Sequence, residues 1–315
     1  MTSPSSSAPL VHAAPTATPA RATTDPLLVA TRDGLVDLGS GAMLLEGHGV
    51  NGAARAGDVV WALTDHREVH RIAGGSTTSV AVLDDGRASV LVVHDGQVWL
   101  GGDEARVWRL DQQRIVEATS FASSPTHERW STPWGGPPAI FSMASHGTHL
   151  FVSVHVGGIL RTEDDGRTWT PTIDLATDVH QVVVDDDGTV WAATGTSGLA
   201  RSTDRGATWT FHDQGLHATY ALAVAVTSDG PIVSSSSGHS ARNGALHRFD
   251  GERFERLHQG LPVDLGGAVG PRQLSARGAE VAAALPDGGI VTSDDCGRTW
   301  QRLDRHLPGA RDLLL

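Results

Sequence analysis

One eight-residue pattern occurs three times in this chain: Thr162-Glu-Asp164-Asp-Gly166-Arg-Thr168-Trp169, Ser202-Thr-Asp204-Arg-Gly206-Ala-Thr208-Trp209 and Ser293-Asp-Asp295-Cys-Gly297-Arg-Thr299-Trp300. The shared spelling, S/T-x-D-x-G-x-T-W, is that of a tight hairpin. The aspartate accepts hydrogen bonds from its own turn, and the glycine supplies a positive φ. Threonine and tryptophan then begin the next strand, with the indole packed on the sheet. A Ca²⁺ loop would need more oxygen ligands close together than such a turn carries.

The sequence around each copy repeats at a period of about 40 residues, the spacing of four-stranded propeller blades. Residues 179–214 give the clearest copy: VHQVVVDDDG is an inner strand and turn, TVWAATGTSG a second strand, LARSTDRGA a third and TWTFHDQ a fourth. Six inner strands are expected near 51–57, 88–94, 139–146, 180–185, 221–227 and 272–278. Residues 27–47 supply three strands without an inner one, and the chain ends in a lone strand, ARDLLL. Together these predict a seventh blade whose innermost strand is the C-terminus, which removes the exposed sheet edges of an open ring. The expectation is an all-β, seven-bladed propeller of four-stranded antiparallel blades over residues 26–315. Residues 1–25, rich in Pro, Ser, Thr and Ala, are expected to be a disordered tail.

The three turns resemble the Asp-box, or BNR, repeats of the sialidase-like propellers. In that family the box joins the third and fourth strands of a blade, on the face opposite the usual binding site. The resemblance implies that Asp164, Asp204 and Asp295 are structural. It does not carry sialidase chemistry, because the early aromatic-Arg-Ile-Pro motif is missing and no glutamate marks Tyr220, the one tyrosine, as a nucleophile. No pair of carboxylates is singled out for ordinary glycoside hydrolysis either.

Composition narrows the chemistry. All 24 basic residues are arginine, so Schiff-base catalysis, a lysine base and a Walker-type nucleotide site are excluded. A net charge of −12 with scattered acids argues against nucleic acid as a partner. No apolar run approaches the roughly 20 residues of a membrane span. A basic leader with a continuous apolar stretch is missing, so the expected location is cytoplasmic. The single cysteine, Cys296, allows no intrachain disulfide and lies inside the third turn.

Ligands of propellers collect where loops enter the inner strands and where second strands join third strands. Of the 16 histidines, His48, His127, His155, His180, His217 and His239 map to that face. Imidazole is the commonest transition-metal ligand. His155, His180 and His217, from consecutive blades, are the first-choice ligands for Zn, Cu or Fe, with His48, His127 and His239 behind them. Tyr220, beside His217, could act as acid or hydrogen-bond donor. Arg272 could clamp a substrate carboxylate, and Trp134, in PWGGPP, could floor an apolar pocket. The leading functional expectation is therefore a His-rich small-molecule site at the channel mouth, with metal-dependent chemistry. The rivals are a propeller that only recruits proteins and a glycan-binding or glycan-cleaving relative of the sialidases.

Overall fold

In the computed structural model, which describes residues 25–132 and 135–315, seven four-stranded antiparallel sheets form the blades of a β-propeller. The expected N-terminal tail, apart from Asp25, and Trp134 lie outside the described residues. Blade I is composite: Leu28–Ala30, Leu35–Asp37 and Met43–Leu44 receive Asp312–Leu314 as their innermost strand. Its register pairs Leu28 with Leu314, Val29 with Leu313 and Ala30 with Asp312. Blades II to VII open with inner strands Val50–Ala56, Ala88–His94, Ile140–His146, Val179–Val184, Tyr220–Thr227 and Leu274–Arg277.

Each blade is sandwiched between two others, and this decides which residues are buried. Second strands lose the in-out alternation of a half-exposed sheet: Val190–Thr194 is buried at every position. Fourth strands such as Thr210–His212, at the rim, are short and largely exposed. The apolar core is correspondingly divided into layers between neighbouring blades. Ala144, Phe151 and Ile159 of blade IV pack on Val182, Val190 and Ala200 of blade V. Val29 and Leu313 of blade I pack on Ala282, Ala284 and Ile290 of blade VII, which closes the ring.

The three repeated turns join third to fourth strands in blades IV, V and VII, and their geometry is the same. Asp164 accepts from the Thr168 amide at 2.9 Å and hydroxyl at 2.7 Å, and Gly166 N donates to Thr162 Oγ1 at 2.9 Å. Asp204 takes Thr208 at 2.8 and 2.6 Å, and Asp295 takes Thr299 at 2.8 and 2.6 Å. The residue after each aspartate, Asp165, Arg205 or Cys296, is left-handed (φ 57°, 60° and 58°). Trp169 fills the layer against blade III, meeting Trp99 edge-on at 6.3 Å, and Trp300 fills the layer against blade VI. Local hydrogen bonds thus shape the turn, and the indole ties it to the preceding blade.

Candidate metal centre

The face where inner strands begin, here called the leading face, carries the unusual chemistry. Five inner strands are bulged at the same level, and the extra residues are Asn51, Ser89, Phe141, His180 and Leu222. A bulge re-aims its side chain out of the regular pleat. In blade V that side chain is an imidazole. His180 Nδ1 lies 2.6 Å from the carbonyl of Ala221 in blade VI and therefore carries the proton there. This turns Nε2 toward Asp178, two residues earlier, with Oδ2 at 3.4 Å. From blade IV, His155 follows the strand His149–Val154 and brings Nε2 to 3.0 Å from Asp178 Oδ1.

His155, Asp178 and His180 each offer one ligand atom, and these lie within 4.8 Å of one another. Donors about 2.1 Å from one ion stand roughly 3.0 Å apart at octahedral angles and 3.4 Å apart at tetrahedral ones. The two Asp178 contacts have those lengths, one to each carboxylate oxygen, so both oxygens would face the ion. His180 also has the outer hydrogen bond that fixes tautomer and ring direction in metal sites. Asp178 Oδ1 is buried, with His155 Nε2 3.0 Å away. Both imidazoles are 3% exposed, so the donors are already stripped of water. Burial opposes the charge on Asp178, but the two imidazoles facing it hold its carboxyl well below the usual range. The donor set of two imidazoles and a carboxylate fits Fe(II) or Zn and leaves coordination positions for water or substrate.

Aromatic rings frame the group. Phe141, the bulge residue of blade IV, stacks on His155 at 4.5 Å and 20°. The Tyr220 ring stands 4.9 Å from His180, and burial, then the charge of Asp178, push its phenol above the usual range. Beside His155, the long loop from blade III docks by Ser131 N donating to Val156 O at 3.2 Å.

The other expected site residues are distributed differently. His217 does not join the converging group. Its Nε2 faces Asn243 O at 2.7 Å, and its ring stacks on the buried His247 at 5.2 Å. His48 pairs with Asp65 at 2.9 Å in blade II, His127 packs edge-on against Trp130 at 4.8 Å, and His239 is exposed. Arg272 does clamp a carboxylate, but one of the protein's own: Nη1 is 3.2 Å from Asp312 Oδ2 and 2.9 Å from Asn51 O. Asp178 was not among the residues expected from sequence. The signal was present as Asp-x-His where the chain enters the inner strand Val179–Val184.

The central cavity, about 840 Å³, is separate from this group. Its lining runs from Gln181, Arg272 and Asp312 to turn residues such as Asp186, Ser228 and Gly278, and it includes none of His155, Asp178 and His180. Gln181 Oε1 accepts from Arg272 N at 3.1 Å and Val224 N at 3.3 Å, so long side chains floor the cavity below the leading face. The group of His155, Asp178 and His180 therefore sits between blades IV and V rather than at the channel mouth expected from sequence.

No protein-family model and no curated protein sequence matches the chain. Solved structures do resemble it. Virginiamycin B lyase from Staphylococcus aureus superposes with a TM-score of 0.61 at 13% identity, covering 83% of this chain and 86% of that one. YCF48 from Cyanidioschyzon merolae gives 0.55 at 14% identity, covering 81% and 84%. BamB from Moraxella catarrhalis gives 0.53 at 13%, covering 91% and 84%. The likeness is one of fold.

Proposed function

We propose that His155, Asp178 and His180 bind one divalent transition-metal ion and that the protein is a metal-dependent enzyme acting on a small molecule at the leading face. We also read the three repeated turns as Asp boxes, which makes the opposite face scaffold. The observation that carries the reading is the meeting of two imidazole nitrogens and one carboxylate from two blades. With Nδ1 donating to Ala221 O, the Nε2 atom of His180 is left facing Asp178, where a metal ion or a second proton can bridge the two. A metal ion with open positions could polarise a substrate oxygen or activate a bound water. The residues here would hold it, orient it and exclude bulk solvent.

Elemental analysis of protein purified without chelator, before and after supplementation with Fe(II), Zn(II) or Co(II), tests the reading. Close to one metal ion per chain is expected. His180→Ala should lose it while keeping the circular dichroism of the wild type, because the strands hold the fold. His258→Ala and His306→Ala are the controls. Their rings face carbonyls at the outer rim, Arg256 O at 3.3 Å and Asp287 O at 2.7 Å, and metal content should not change. Binding should weaken on acidification, since ligating nitrogens must be unprotonated. Absence of stoichiometric metal in every preparation would mean that protons alone neutralise the group, and would favour a protein-recruiting propeller.

A further inference from the structure

Across the leading-face hairpin of blade V, Asp178 faces Gly195, whose amide donates to the Asp178 carbonyl at 2.7 Å. Resting on the metal reading above, we propose that Gly195 is a positioning residue for the metal: its missing side chain is the space that lets the Asp178 carboxylate stand between His155 and His180. A Cβ on Gly195 would lie 2.2 Å from Asp178 Oδ2, 2.9 Å from Cγ and 3.2 Å from Cβ. The backbone itself gives no reason for glycine here, because its φ lies outside the left-handed region.

The three nearest atoms an added methyl would meet all belong to the Asp178 side chain. At Gly102, in blade III, the added atom would instead strike main chain, 1.9 Å from Arg87 O. The first kind of overlap is relieved by rotating one carboxylate; the second requires the chain to move. A methyl at position 195 therefore displaces the ligand and leaves the sheet in place.

The corresponding hairpins show the same trade. In blade IV the large group is on the other arm, His155, and its partner is Ala139; in blade II Asp65 is opposite Gly49. In blade III, where Arg87 faces Asp103, both arms carry long side chains and form an ion pair at 3.6 Å. That pair lies out in solvent, whereas in blades IV and V a single arm carries a largely buried polar group. In blades IV and V the occupied arms are the two that meet.

The test uses the full chain, stripped of metal and titrated with cobalt(II), read by its visible d–d absorption. Gly195→Ala should weaken cobalt binding by about tenfold or more, the loss typical when the support of a ligand is disturbed, and should alter the absorption bands. In an Asp178→Ala background the same change should add nothing, because the group it clashes with is gone; that non-additivity identifies action through the carboxylate. Metal-free melting of Gly195→Ala should stay close to the wild type. Should it instead unfold, Asp178→Ala must rescue it. Wild-type-like cobalt binding by Gly195→Ala, fully additive losses in the double variant, or unfolding that Asp178→Ala does not rescue would each overturn the inference. A wild-type protein that binds no cobalt would overturn the metal reading and this inference together.

Discussion

The two faces of the propeller are built on opposite logic. On the turn face, chemistry repeats: Asp164, Asp204 and Asp295 make the same bonds to residues two to four positions away, in three blades. On the leading face, the bulge recurs in five blades but its occupant changes each time, and only His180 combines with an acid and an imidazole from another blade. Repetition marks what every blade needs in order to fold. Departure from repetition, on an otherwise repeated backbone, marks where the protein does something once.

That contrast presupposes a closed ring, and the largest effect should come from opening it. Deleting Ala310–Leu315 removes the inner strand of blade I and with it Asp312, which accepts from Ala53 N at 3.1 Å and pairs with Arg272. Both faces should fail together, with insolubility or a collapse of the melting temperature. A truncated protein that melts like the parent and still binds metal would show that closure does not hold the faces in register.

A smaller effect should separate the faces. Asp295→Ala removes acceptors for the Thr299 amide and hydroxyl and for Ser293 Oγ. Such a loss destabilises by about 1 kcal/mol, visible as a lower denaturation midpoint with unchanged metal affinity. Metal loss without loss of stability would exchange the roles assigned to the two faces.

The smallest and most discriminating test is pH. Hydrogen bonds from Thr168 and Thr208 hold Asp164 and Asp204 at about 2, and those from Thr299 and Ser293 do the same for Asp295 against the opposing effect of burial. With folded values below the ordinary 3.8, these turns contribute stability that is complete above about pH 4 and is lost as pH falls through about 2. Asp312 has the opposite sign. Burial raises it to about 6 despite Arg272, so its folded form favours the proton and the native state loses stability as pH rises from about 4 to about 6. Denaturation of wild type and Asp312→Asn across that window should show the difference shrinking toward low pH. A pH-independent difference would mean that Asp312 does not titrate between 4 and 6.

Much of the scaffold was legible because its determinants are local. The expected inner strands at 88–94 and 139–146 are observed at Ala88–His94 and Ile140–His146, and ARDLLL does close the ring. The site was legible only in part. Of the three histidines expected on one face, His155 and His180 converge around Asp178, whereas His217 points to Asn243 and His247. Sequence assigns a residue to a loop; it does not say which way the ring turns. Asp178 is not legible as a ligand from sequence, because an acid at a strand entry is an ordinary turn residue until His155 is brought to it from another blade.

By itself the sequence determined the turns and the four-strand period, since each follows from hydrogen bonds and apolar patterning within some 40 residues. The composite blade was legible only by counting, because residues 27–47 lack an inner strand and the chain ends in a lone one. Only the tertiary structure decided that His155 meets Asp178 across two blades, and that Gln181, Arg272 and Asp312 floor the cavity. Those outcomes depend on distances between elements far apart in the chain. They are set by how neighbouring blades pack and where each inner strand bulges, and neither is encoded in the spacing of any single motif.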